Sequence, residues 1–263
     1  MGTFFLNGAE KFREIRKSWA VAVVVIAMIG LHLFLESQGG AITESGEISP
    51  WVIRFGLSGE QVLHGKIWQL VTYAWFHGNL LHLGLNMMCL IMLGSRVEQM
   101  LGTRVFLVTL FAGILGGGIG HLPMSLAGDQ APVLIGMSGG CVGLLLLLTT
   151  LSPESRMWPL PVSGKALGMG LVIGELILTL VDRRLEIPGF EKIGTWFSVH
   201  GLDTLFQVGH SCHLGGALAG WIVGRWLLRP RVSLASLRRQ RERREAKYGN
   251  GPQPTPEAGK SAP

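Results

Sequence analysis

Residues 79–97 read NLLHLGLNMMCLIMLGSRV. No charge interrupts the stretch before Arg96, and a run of this length and apolarity suits a helix that crosses the roughly 30 Å hydrocarbon core of a bilayer. It also carries His82 and Asn86. Hydrocarbon tolerates such side chains only when they are paired or line a cavity. A membrane helix packed among other helices is therefore predicted.

Five further apolar runs flank it, at about 19–35, 104–122, 138–150, 165–181 and 207–228. The fold class read from them is all-α: a polytopic membrane protein with six transmembrane helices in residues 19–228. A short cytoplasmic segment, 1–18, precedes the bundle. A tail, 229–263, follows it, first basic and then rich in Gly and Pro, and is expected to lack regular structure. The connection 36–78 holds Trp51, Phe55, Trp68, Tyr73, Trp75 and Phe76, an aromatic content suited to a segment at the bilayer surface. The run at 19–35 follows basic residues as a signal peptide would, but it is long enough to span and is read as an uncleaved first helix.

Composition agrees. Hydrophobic residues make up 48% of the 263 and charged residues only 15%, against roughly 25% in an ordinary soluble domain. The net charge of +6 is carried mostly beside apolar runs and in the tail. Its expected partner is an anionic lipid surface, not nucleic acid. Three cysteines without a CxxC pair imply no disulfide framework. Basic residues concentrate at Lys11–Lys17, Arg96, Arg104, Arg156, Lys165 and Arg225–Arg231. The positive-inside rule then puts both termini in the cytoplasm of a plasma (inner) membrane protein.

That topology sets depths. Asn86 lies about seven residues into the second span and His213 about six into the sixth, both counted from the outer side, or roughly 10 Å down. Ser138 opens the fourth span, which also starts outside. If the loop before it dips inward, a hydroxyl, an imidazole and a carboxamide come near one level. This trio suits acyl transfer: a serine needs a base within reach to become nucleophilic, and His213 can serve near neutral pH. Asn86, the ring of His82 and the backbone N–H of Ser138 can donate to an oxyanion. Gly136 and Gly139 flank the serine and permit a close turn. No carboxylate is placed beside His213, so a Ser–His dyad is expected; Glu175, inside the fifth span, is read as a hydrogen-bonded structural group.

These segments resemble the rhomboid family of intramembrane serine proteases from about Trp68 to Gly224. WQLVTYAWFHGNLLHLGLN resembles the family's W-R-x-x-T…H-x-x-x-x-H-x-x-x-N stretch, LGSRVEQMLG its turn after the second helix, IGMSGG its G-x-S-G, and CHLGGALAG its A-H-x-x-G-x-x-x-G. The resemblance implies a six-helix rhomboid-like bundle with Ser138 as nucleophile, His213 as base, and His82 and Asn86 at the oxyanion. It further implies Trp68 and Thr72 in a membrane-embedded loop, Glu98 and Gly102 at a turn, and a close helix contact at Gly216 and Gly220. Substrate would enter between the second and fifth spans. The implied activity is cleavage of a peptide bond in or near a transmembrane segment of a membrane-anchored protein. No cofactor and no metal are expected.

Two positions depart from the pattern. Gln69 stands where members often have arginine. Val142 stands where they usually place an aromatic ring against the histidine, which leaves either a weakened or absent activity or a His213 held by another group such as His210 or Cys212. Two rival readings follow from the residues. His77, His82, His210, Cys212 and His213 are ligand types for zinc but lack a compact ligand pair. A small-solute transporter built around Glu175 explains the glycine-rich bundle but not the glycines on both sides of Ser138.

Overall fold

The computed structural model describes residues 18–41, 47–127, 133–156, 161–202, 208–229 and 234–249. The 1–17 lead-in and the Gly/Pro-rich end from 250 lie outside the described residues. Helices occupy all six apolar runs: α1 Trp19–Ser37, then, after the connection, α5 Leu80–Leu101, α6 Thr103–Ser125, α7 Ser138–Leu151, α8 Gly164–Leu180 and α10 His210–Leu227. The connection folds into short helices α2 Pro50–Phe55, α3 Gly59–Leu63 and α4 Gln69–Thr72, and α9 Phe190–Val199 precedes α10.

The chain is an all-α, multi-pass membrane protein. Among the described residues, α1, α5 and α6 are long and apolar enough to cross a bilayer by themselves. The other three fall short for separate reasons. With 14 residues, α7 rises only about 21 Å. At 17 residues, α8 rises about 26 Å, still short of the roughly 30 Å hydrocarbon core. His210, His213, Arg225 and a ridge of glycines lower the hydropathy of α10.

Glycine sets how these helices meet. A Cβ on Gly216 of α10 would overlap the carbonyl oxygen of Gly139 in α7, and one on Gly220 would overlap that of Gly143. Backbones therefore touch directly, the close packing that dispersion favours in a membrane. At the other end of α5, Glu98 is buried and caps α1. It accepts from the N–H groups of Ala20 (3.2 Å) and Val21 (3.1 Å) and from the Thr103 hydroxyl (2.7 Å). Those are N–H groups that a helix start leaves unpaired, and the carboxylate suits the positive end of the helix dipole.

The tail departs from expectation. Leu234–Tyr248 forms a helix, α11, where no regular structure was expected. LASLRRQRERREAKY contains no Gly or Pro and is rich in good helix formers. Arg241 donates to Glu245 one turn on, at 2.7 Å, a pairing that adds a few tenths of a kcal/mol.

Candidate active site

The loop before α7 is held from two sides. Leu57 and Leu134 exchange backbone hydrogen bonds, each 2.9 Å, and the Gly136 N–H donates to the Tyr73 carbonyl at 3.0 Å. Gly136 has φ +118°, and a Cβ there would sit 2.6 Å from Nε2 of His82. Both the backbone conformation and the His82 ring therefore require glycine. The chain then turns into α7 with Ser138 as its first residue, where backbone N–H groups have no partner within the helix.

From the facing side comes the start of α10. A Cβ on Gly139 would lie 2.9 Å from Sγ of Cys212. Ser138 precedes Gly139 in the chain and His213 follows Cys212, at the starts of two helices that pack through their glycines. Tyr73 lies beneath, fully buried. Its hydroxyl donates to the Ile114 carbonyl at 2.8 Å and sits 3.4 Å from Cys212 Sγ, which joins the first loop, α6 and α10.

Asn86 is buried in α5, and its Nδ2 donates to the His82 carbonyl at 3.0 Å. Cys141, one turn beyond Ser138, approaches the Asn86 carbonyl at 3.7 Å, so Asn86 runs beside the first turn of α7. The His82 ring meets that of buried His77 edge-on, centroids 5.0 Å apart. Gly136, His82 and Asn86 therefore lie together at the start of α7, which opens with Ser138, and Gly139 faces Cys212, the residue before His213, at the start of α10.

Trp68 and Glu98 do not join them. Trp68 is largely exposed, and its indole donates to the Arg54 carbonyl at 3.2 Å. Glu98 caps α1. Thr72 donates to the Phe55 carbonyl at 2.6 Å. The knot of this loop is Gln69, fully buried, which accepts from the Ser58 N–H at 3.1 Å and donates toward the carbonyls of Ile53 (3.3 Å) and Arg54 (3.2 Å) and Oε1 of Gln61 (2.9 Å). The departure at Gln69 thus keeps a loop-tying function. Its partners are mostly backbone, which no side-chain pattern announces.

The expectation that no carboxylate lies beside His213 is overturned. Oε1 of Glu175 in α8 is hydrogen-bonded to Nδ1 of His213 at 2.8 Å, and Oε2 to Nδ1 of His210 at 2.6 Å. If Glu175 is ionised it can only accept, each Nδ1 then carries the hydrogen, and Nε2 of His213 is the nitrogen left for another partner. Val142 is half-buried. Glu175, His210 and His213 also have donor atoms within 4.8 Å of one another, a spacing that could admit a metal ion. That grouping brings in Glu175 and leaves out His77, His82 and Cys212.

A family model described as the Rhomboid domain matches residues 64–230, more than half of the chain. The chain is similar to RHOMBOID-like protein 7 of Arabidopsis thaliana, 28% identical over 250 residues, covering 84% of this chain and 70% of that protein. It is also similar to RHOMBOID-like protein 5 of the same plant, 30% identical over 168 residues (64% and 46%), and to RHOMBOID-like protein 4, 35% identical over 176 residues (66% and 37%). The chain thus spans less than half the length of two of these relatives. With its domain match, its all-α membrane architecture and its glycine-packed helices, this chain belongs to the rhomboid family.

Proposed function

We propose that the protein is an intramembrane serine endopeptidase, with Ser138 as nucleophile and His213 as base. One observation supports the reading: the close approach of Gly139, next to Ser138 at the start of α7, to Cys212, next to His213 at the start of α10. Family membership supports it independently.

In the proposed reaction Nε2 of His213 takes the Ser138 proton as Oγ bonds to the scissile carbonyl carbon. The carbonyl π pair moves to oxygen. Asn86, His82 and the Ser138 N–H donate to that oxyanion, the kind of preorganised stabilisation that dominates acyl transfer. The imidazolium then gives its proton to the leaving amine as the C–N bond breaks. Water, deprotonated by the same nitrogen, hydrolyses the acyl-enzyme.

The substrate class is a membrane-anchored protein. A peptide bond inside a helix is shielded, so the segment cleaved must unwind locally, with entry between α5 and α8. Both termini are assigned to the cytoplasm of a plasma (inner) membrane, with the basic α11 near anionic lipid. No cofactor enters the mechanism. The test is cleavage of a membrane-anchored reporter by wild type beside Ser138→Ala; product from the wild type alone is expected, and equal product from both refutes the reading.

A further inference from the structure

A carboxylate inside a membrane helix is costly and persists only when paired. Glu175 stands in GKALGMGLVIGELILTL, the otherwise apolar α8 apart from Lys165 at its start. Holding α8 to α10 would take one hydrogen bond. Instead both oxygens are engaged, by two rings three residues apart on the first turn of α10, the spacing that puts side chains on one helix face. All three side chains are mostly buried, 14% exposed for Glu175, 12% for His213 and 7% for His210. At these distances and this burial, a charge-assisted hydrogen bond is strong and directional.

From this geometry we infer that Glu175 is a positioning residue for His213, and that His210 locks the carboxylate by its second oxygen; the inference rests on the proteolytic reading above. A histidine base needs one tautomer and one ring orientation. Donation from Nδ1 to Glu175 leaves Nε2 unprotonated and able to take the Ser138 proton. When that proton arrives, the imidazolium keeps its Nδ1–H on Oε1, and the carboxylate stabilises the new charge without being protonated. Val142 leaves His213 without an aromatic wall at that position, and the Glu175–His210 clamp supplies the restraint from another helix. The arrangement is a serine, a histidine and a carboxylate drawn from α7, α10 and α8.

The experiment uses the full-length protein in detergent with a membrane-anchored reporter, recording kcat, KM and melting temperature for each variant. Removing the orienting carboxylate from a soluble triad lowers kcat about 10⁴-fold. Glu175→Gln is expected to lose about 10²-fold or more in kcat, with KM and melting little changed, and Glu175→Asp to recover part of the loss. Proton NMR of the wild type should display a downfield Nδ1–H that disappears in His213→Ala. Full kcat in a folded Glu175→Gln, where Ser138→Ala is inactive, overturns the inference alone. Activity in Ser138→Ala overturns the underlying reading instead. If Glu175→Gln does not fold, the wild-type spectrum decides: no downfield His213 proton refutes the clamp. Activity abolished by EDTA and restored by Zn²⁺ also refutes it, because the trio would then be a metal centre.

Discussion

Gly216 of α10 lies directly on the carbonyl oxygen of Gly139 in α7, with no room for a Cβ between them. One residue before Gly139 is Ser138, and three before Gly216 is His213. The separation of the two helices therefore sets the distance from hydroxyl to imidazole. Gly216→Ala must push the backbones apart. Overpacking of this kind costs about 1–3 kcal/mol, and reporter cleavage should fall further than stability alone explains, since small displacements of reacting groups are costly. Gly174→Ala, where nothing lies within 4 Å of an added Cβ, is the control and should melt and cleave like wild type.

Glu98 yields the opposite pattern. Its bonds to Ala20 and Val21 cap α1 away from the serine. Glu98→Ala should cost about 0.5–2 kcal/mol of stability, as loss of a helix cap does. A lowered melting temperature with kcat unchanged is expected; a large fall in kcat at full stability would tie Glu98 to the chemistry.

Asn86 spends one amide hydrogen on the His82 carbonyl and has a second to offer an oxyanion. Removing one such donor from a soluble serine protease costs roughly 2.7–4 kcal/mol. Asn86→Ala should cost less, about 1–3 kcal/mol of transition-state stabilisation, because His82 and the Ser138 N–H still donate. Wild-type cleavage by a folded Asn86→Ala would make the residue a packing element.

Val142 tests the clamp from the other side. An aromatic ring at 142 should add little to the wild type, because Glu175 already orients His213. In Glu175→Gln the same ring should restore part of the lost turnover, a coupling read from a double-mutant cycle. Equal gains from Val142→Phe in both backgrounds would mean that ring and carboxylate act independently.

Much of this was legible in the residues themselves. The helices over the six apolar runs follow from those runs, and depth counted along them singles out His213 and Asn86 as candidates. Glu175 required one more count. It lies six residues before Val181 at the end of α8, about 9 Å at 1.5 Å per residue, the level of His213. Counting only from helix starts passes over a residue on a helix that runs the other way. Gln69 was less accessible, because its partners are mainly carbonyls of a folded loop. The α11 helix was hidden by charge: a sequence so basic lacks an apolar face, and only helix propensity and the Arg241–Glu245 spacing pointed to it.

The central claim is that Ser138 Oγ is a nucleophile made reactive by His213. Folded protein treated with a fluorophosphonate probe, digested and mapped by mass spectrometry tests it most directly. The account predicts a covalent adduct on Ser138 in the wild type, none in Ser138→Ala and very slow labelling in His213→Ala. Equal labelling of wild type and Ser138→Ala, or none in a folded wild type that also cleaves no membrane-anchored reporter, would contradict it.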